Sequence, residues 1–306
     1  MEITEKELGR LLQTVMQSYG YTDIKLLEQF HKGSSRLVCK IEADGQILLA
    51  RGLPETVSGE TIEGNIAAHE YLGNNRQLAP RILHMPNGAS CLKASGFWFY
   101  VLEYIEGQNL EENERDQREL GRLLRKLHSF SDYTHPSGLS DDKGEFYGWF
   151  REKGFKREFD EILDSIPDFR KLDRCFIHSD IGPHNSLRTK DGDIVLIDLD
   201  DAGVGSRYLD LGWPFIMQFV KHERTTGRMS YRTDLAEAFL YGYYGEEEIT
   251  RQELDLIWQG AVFMHISYMN DYGPEAVGSL WKILKFGMGQ KELLWHNLCN
   301  HPKHKA

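Results

Sequence analysis

Near residue 104 the apolar pattern shifts from mostly strand-like runs to mostly helical stripes, and that shift constrains the fold more than any other feature. Before it, short runs read as strands: Ile24 to Phe30, Leu37 to Glu42, Gln46 to Arg51, Arg81 to His84 and Phe97 to Glu103. Asp44-Gly45 turns the chain within the first group and Asn87-Gly88 within the second, so the first three runs form an antiparallel meander. A helix opens the chain, begun by the capping pair Thr4 and Glu7 and carrying Leu8, Leu11, Leu12, Val15 and Tyr19 on one face until Gly20. Another spans about residues 61–72 and stops at Gly73-Asn74-Asn75. After residue 108 the pattern is mainly helical. Leu120, Leu123, Leu124 and Leu127 form an i, i+3, i+4, i+7 stripe; helices are also expected at about 232–244, after Thr250 and Glu253, and from Glu275 to Trp295. A short buried strand, Asp193 to Asp198, follows the turn Asp191-Gly192. Strands with one helix, then mostly helices, imply an α+β protein with a cleft between unequal lobes.

Composition excludes several classes. With 41% apolar and 27% charged residues over 306 positions, the chain can bury a core. A formal net charge of −11 argues against nucleic acid or an anionic membrane as a partner of the whole protein. The start Met1 to Glu7 lacks a basic stretch leading into an apolar one, and no apolar run is long enough to span a bilayer, so a cytoplasmic location is expected. Cys39, Cys91, Cys175 and Cys299 are widely spread and suit reduced thiols. His296, Cys299, His301 and His304 match no zinc spacing and read as a polar C-terminus.

The chemistry is concentrated between Cys175 and Gly212. In HSDIGPHN, residues 178–185, Asp180 lies five positions before Asn185, so one loop can present a base and a metal-binding amide to a small volume. Asp198 ends the apolar strand, where a hairpin can return it beside Asn185. A carboxylate to take a hydroxyl proton, with oxygen ligands for magnesium, is what phosphoryl transfer to an alcohol requires. A metal-hydrolase reading through His178, Asp180 and His184 leaves Asn185 and Asp198 unexplained. No GxxxxGK[ST] loop occurs.

HSDIGPHN and LIDLDDAGVGSRYLDLG resemble the catalytic loop and following segment of the aminoglycoside phosphotransferase and choline kinase family, a branch of the protein-kinase-like fold. The helix carrying LGRLLRKLHS and the linker strand FWFYVLEYIEGQNL extend the likeness. The resemblance implies a small antiparallel-sheet N-lobe over the nucleotide (1–103), a hinge (104–108) and a larger, mainly helical C-lobe for catalysis and acceptor binding (109–306). It implies ATP and Mg2+ as cofactors, Asp180 as base, Asn185 and Asp198 as magnesium ligands, and His178 and Asp210 as braces of the loop. Gly33, Ser34 and Ser35 fall where the family covers the nucleotide, and the backbone from Glu103 to Ile105 where it meets adenine. The strand lysine that binds phosphates is replaced by Arg51, whose planar fork also suits phosphate. Glu70 is the expected ion-pair partner of Arg51, with Glu63 as the fallback.

The family's acceptors include aminoglycosides, amino alcohols, homoserine, methylthioribose and, in some branches, protein serine or threonine. Acidic groups at Asp141-Asp142, Glu246 to Glu248, and Asp271 with Glu275 would suit a small cationic hydroxyl acceptor. A homoserine-kinase-like or protein-kinase-like branch is the alternative enzyme. A nucleotide-binding pseudokinase, suggested by Arg51, is the alternative of another class.

Overall fold

A computed structural model describes residues 4–30, 36–139, 156–223, 225–270, 272 and 274–300. His31 to Ser35, Asp141-Asp142, Asp271 and the histidines at 301 and 304 lie outside these residues. The chain divides into two compact units, Met1–Gln108 with Leu187–Asp200, and Asn109–Ser186 with Asp201–Ala306. A division at 104–108 alone leaves Leu187–Asp200 with the second part, whereas its contacts are with the first.

In the first unit, helix α1 (Glu5–Ser18) starts at the expected capping box: Thr4 Oγ1 accepts from Glu7 N and Thr4 N donates to the Glu7 carboxylate. Its face of Leu8, Leu11, Leu12, Val15 and Met16 packs with Cys39, Ile41, Phe99 and Val101. Those residues belong to a five-stranded antiparallel sheet of β1 (Ile24–Phe30), β2 (Leu37–Ala43), β3 (Gln46–Pro54), β4 (Cys91–Ala94) and β5 (Phe97–Glu103), in the order β1-β2-β3-β5-β4. Asp44 and Gly45, at φ 46° and 79°, make the tight turn between β2 and β3.

Helix α2 (Gly59–His69), capped by Ser58, packs Ile62 beside Leu53, Ile82, Tyr100 and Leu102. It widens into a π turn, Glu70–Asn74, where a Cβ on Gly73 would lie 2.4 Å from the Pro80 carbonyl oxygen. The expected strand at Arg81 to His84 is reduced to one bridge, Ile82 with Leu102. Pro80 and Pro86 flank it and limit the ladder. The strand pairing with β5 is instead Cys91–Ala94. A smaller sheet joins Gly107–Asn109 (β6), Ser186–Thr189 (β8) and Ile194–Leu196 (β9) in the order β6-β8-β9. Leu196 N donates to Leu78 O at 2.8 Å, which ties β9 into the first unit.

The second unit is built on α3 (Glu114–His128), α4 (Lys156–Ser165), α5 (Arg207–Met217), α6 (Thr233–Tyr244), α7 (Arg251–Asn270), α8 (Pro274–Met288) and α9 (Lys291–Asn300). Two hairpin-like pairs complete it: β7 (Arg174–Ile177) with β10 (Gly203–Ser206), and β11 (Val220–His222) with β12 (Met229–Tyr231). Glycine permits both principal helix crossings. A Cβ on Gly242 would lie 2.0 Å from Arg118 O, between α6 and α3, and one on Gly260 would lie 2.0 Å from Tyr208 O, between α7 and α5. The single helix expected from Glu275 to Trp295 is two, because the chain turns at Gly289-Gln290. Thr250 caps α7 by accepting from Glu253 N, but the Glu253 carboxylate goes to Tyr208, Tyr244 and Arg207 rather than back to the cap.

All four cysteines are free, and among the described residues no helix is long and apolar enough to cross a membrane. Buried His265 has Nε2 2.9 Å from Leu280 O and Nδ1 3.2 Å from Met217 Sδ. Burial pulls its pKa from 6.5 down to about 4, against the Leu280 bond. Between those values the unfolded chain binds more protons than the folded one, so stability is complete above pH 6.5 and falls as pH drops to 4. His265→Gln is expected to flatten that slope by up to ~3 kcal/mol, read by denaturant titration at several pH values.

Candidate active site

In the second unit, β7 delivers the chain to His178, Ser179 and Asp180. Ser179 has φ 72°, a strained value for a residue with a side chain, and it is held by hydrogen bonds. Asp210, fully buried near the start of α5, accepts from His178 N through Oδ2 and from Ser179 N through Oδ1, both at 2.7 Å. His128 Nε2 lies 3.2 Å from Asp210 Oδ2, while His128 Nδ1 meets Tyr243 OH at 2.9 Å. His178 is wholly buried, with Nδ1 3.4 Å from Asp180 N.

A 3-10 turn over Pro183–Asn185 then folds Asn185 back, and its Nδ2 donates to Asp180 Oδ2 at 2.8 Å and to Asp180 O at 3.0 Å. His184 Nε2 is 3.2 Å from Asp180 Oδ1. Gln218 Nε2 donates to Ile181 O at 2.6 Å, and Asn109 Nδ2 to His184 O at 2.8 Å, so the loop is held on both sides of the turn.

Asp180 lines a cavity of about 570 Å³ within this unit. Three carboxylates, Glu112, Asp180 and Asp201, stand in its wall against one ammonium, Lys221, which pairs with Glu112 at 2.6 Å. Trp213 and Tyr268, with ring centroids 6.3 Å apart, add aromatic surface. Carboxylates outnumber the ammonium in this wall. The acidic group at Glu246 to Glu248 is used differently, for Glu247 pairs with Arg125.

In the first unit, the chain leaves β9 through Asp198, at φ 60°. Arg51, buried on β3, directs Nη2 to Asp198 Oδ1 at 3.1 Å and to Asp200 Oδ2 at 2.8 Å. Burial acts to lower the Arg51 pKa, but Tyr100, Asp200 and Asp198 raise it by more, so the guanidinium is a permanent cation.

Glu70 does not fill its expected place. Its carboxylate accepts from Asn74 Nδ2 at 2.7 Å and faces His84 Nε2 at 2.9 Å, because the π turn gives it local partners. Glu63 is exposed on α2. Glu103 ends β5 with its N–H on Arg81 O and its carboxylate on the Arg81 guanidinium; half-buried Ile105 follows in the extended stretch before β6. Gly33, Ser34 and Ser35 lie outside the described residues.

The structure thus brings together Asp180, Asn185, His178 and Asp210 in one unit, and Arg51 with Asp198 in the other. Sequence reasoning missed Asp200, His128 and Gln218. Asp200 had a signal, since it follows Asp198 by two residues with buried Leu199 between them. His128 ends the LGRLLRKLHS helix, and Gln218 carries no local mark.

Amide and carboxylate oxygens are the donors that hard cations prefer. Asn185 uses its amide nitrogen on Asp180, so the hard donor it can still offer is its amide oxygen; in the first unit, the Asp198 side chain is 44% exposed. Among the described residues no group of three or more His, Cys, Asp or Glu could hold a metal ion. Magnesium needs fewer protein ligands, because phosphates and water complete its shell.

An antiparallel sheet unit bearing a buried strand cation, with a helical unit bearing an Asp-Asn loop, defines a kinase-like protein. Residues 27–251 match the model of the phosphotransferase enzyme family, APH, and the chain belongs to that family. It is a kinase, a phosphotransferase with an alcohol group as acceptor. No curated protein matches the sequence. Among solved structures, a microcompartment-associated aminopropanol kinase is 16% identical with a TM-score of 0.67, over 94% of this chain and 98% of that one. An amicoumacin kinase, hAmiN, in complex with AMP-PNP, Ca2+ and Ami, is 15% identical with a TM-score of 0.67, over 94% and 93%. The Plasmodium vivax ethanolamine kinase is 15% identical with a TM-score of 0.57, over 99% and 90%. At these identities the likeness is one of fold.

Proposed function

We propose that this protein uses ATP and Mg2+ to phosphorylate a hydroxyl group of a small, amine-bearing molecule, with Asp180 as the base. The observation that carries this reading is the position of Asp180 in the wall of the acidic, aromatic cavity, its carboxylate fixed by Asn185 and His184. Solved structures of similar fold include kinases named for aminopropanol and ethanolamine, both amino alcohols.

Glu112 and Asp201 attract the acceptor's ammonium, and Trp213 and Tyr268 offer ring faces to it. The acceptor hydroxyl donates to Asp180, which takes the proton as the acceptor oxygen bonds to the γ-phosphorus of ATP and the bond from that phosphorus to the bridging oxygen breaks, ADP leaving with the electron pair. Asn185 holds Asp180; Asn185 and Asp198 would each offer an oxygen to the metal, Arg51 would grip phosphate oxygens, and the backbone from Glu103 to Ile105 would meet adenine. Magnesium, when bound, neutralises charge developing on the phosphates. Gly33, Ser34 and Ser35 are assigned to the phosphate side by sequence alone. A cytoplasmic site of action, where ATP is available, completes the reading.

The test is phosphate transfer from ATP to aminoglycosides, amino alcohols, homoserine and generic protein substrates. Transfer to an amine-bearing hydroxyl compound is expected. Transfer to protein serine or threonine alone would overturn the acceptor class. Nucleotide binding without transfer to any acceptor would favour an interaction module.

A further inference from the structure

Arg51 is tied to two aspartates of unequal character. Asp198 is 44% exposed and sits at a positive φ of 60°, whereas the Asp200 side chain is 10% exposed. Asp200 Oδ2 takes Arg51 Nη2 at 2.8 Å and Arg36 Nη1 at 2.6 Å, and its Oδ1 lies 3.5 Å from Tyr100 OH on β5; the Asn65 amide on α2 donates to the Asp200 backbone carbonyl and to Thr61 O. Groups from β3, β5 and the segment before β2 therefore converge on one carboxylate, and α2 holds its backbone. Both ion pairs of Arg51 use Nη2, and among the described residues Nε and Nη1 meet no partner. The two helix glutamates that could have balanced Arg51 are otherwise placed, Glu70 on Asn74 and His84, and Glu63 exposed.

We infer that Asp200 is the positioning residue for Arg51. Its enclosed carboxylate is the fixed counter-ion that aims the guanidinium at nucleotide phosphate, in place of a helix glutamate. This rests on the proposed phosphate role of Arg51. A buried cation needs a partner that stays, and Asp200, whose carboxylate meets Arg51, Arg36 and Tyr100, is that partner. Asp198, more exposed and joined to Arg51 at 3.1 Å, is the one that can be released to a metal while Asp200 keeps the fork aligned. The strand arginine and the Asp-Leu-Asp segment after β9 then form one device, in which the first aspartate meets the metal and the second holds the arginine.

The experiment titrates the full chain with a fluorescent ATP analogue and magnesium, alongside thermal unfolding and steady-state kinetics. Arg51→Ala and Asp200→Asn are each expected to weaken nucleotide binding by roughly tenfold or more, and the double variant to be no weaker than Arg51→Ala alone. Asp200→Asn should raise the KM for ATP and leave the acceptor KM unchanged. Asp200→Glu should recover part of the affinity, and Glu70→Gln should bind as wild type. Wild-type binding by Asp200→Asn, with Arg51→Ala weakened, overturns the inference and leaves the phosphate role of Arg51 standing. Wild-type binding by Arg51→Ala overturns both. If Asp200→Asn does not fold, Asp200→Glu decides: reduced affinity at an unchanged melting temperature supports the inference, and unchanged affinity at that temperature refutes it.

Discussion

Asp180→Asn is expected to lower kcat by roughly 10²- to 10⁴-fold on the proposed role of this carboxylate as base. The substitution keeps the shape of the side chain and one oxygen able to accept from Asn185, so the loop should keep its fold. Nucleotide affinity and melting temperature should stay close to wild type, because Asp180 is assigned to the acceptor proton and not to the phosphate grip. Steady-state phosphate transfer and a nucleotide titration on one preparation separate these effects. A kcat within threefold of wild type, with a true acceptor present, would leave Asp180 without the assigned role.

The second large effect is expected at Asp210. In Asp210→Ala, the N–H groups of His178 and Ser179 lose their acceptors inside the protein, and His128 loses its contact. Removing a wholly buried carboxylate from such a network costs about 3–5 kcal/mol, a fall in melting temperature of about 10 °C. Activity should fall too, since the bond to Asp210 holds strained Ser179 directly before Asp180. Breaking the exposed Arg125–Glu247 pair with Glu247→Gln should cost less than about 1 kcal/mol. Equal losses from the two variants would mean that Asp210 holds nothing that a surface pair does not.

What could be read from the sequence was local. The capping box at Thr4 and Glu7, the Asp44-Gly45 turn, the leucine stripe of α3 and the Asp180 to Asn185 spacing each depend on residues a few positions apart. Where the structure departs from expectation, a distant partner decided. Arg81 to His84 shrinks to one bridge because Cys91–Ala94 takes the side of β5 farther along. Arg51 finds Asp200, 149 positions away, while Glu70 is captured by Asn74 and His84 once the helix widens. Leu187–Asp200 reads as part of the helical half by order along the chain, yet Leu196 bonds to Leu78. The break at Gly289-Gln290 had a visible glycine, but an apolar pattern on both sides concealed it.

The two-segment make-up of the first unit has a consequence for building chimaeras. The chain passes from one unit to the other after Gln108, after Ser186 and again after Asp200. A gene fusion that takes its front half from one family member and its back half from another, joined once near residue 108, would pair Arg51 of one parent with Asp198 and Asp200 of the other. Parents that place the counter-charge on a helix and parents that place it after β9 would then yield hybrids with two acids for one cation, or with none. Interchangeable pieces of this enzyme must carry the short insert Leu187–Asp200 together with the amino-terminal sheet, as a two-part cassette.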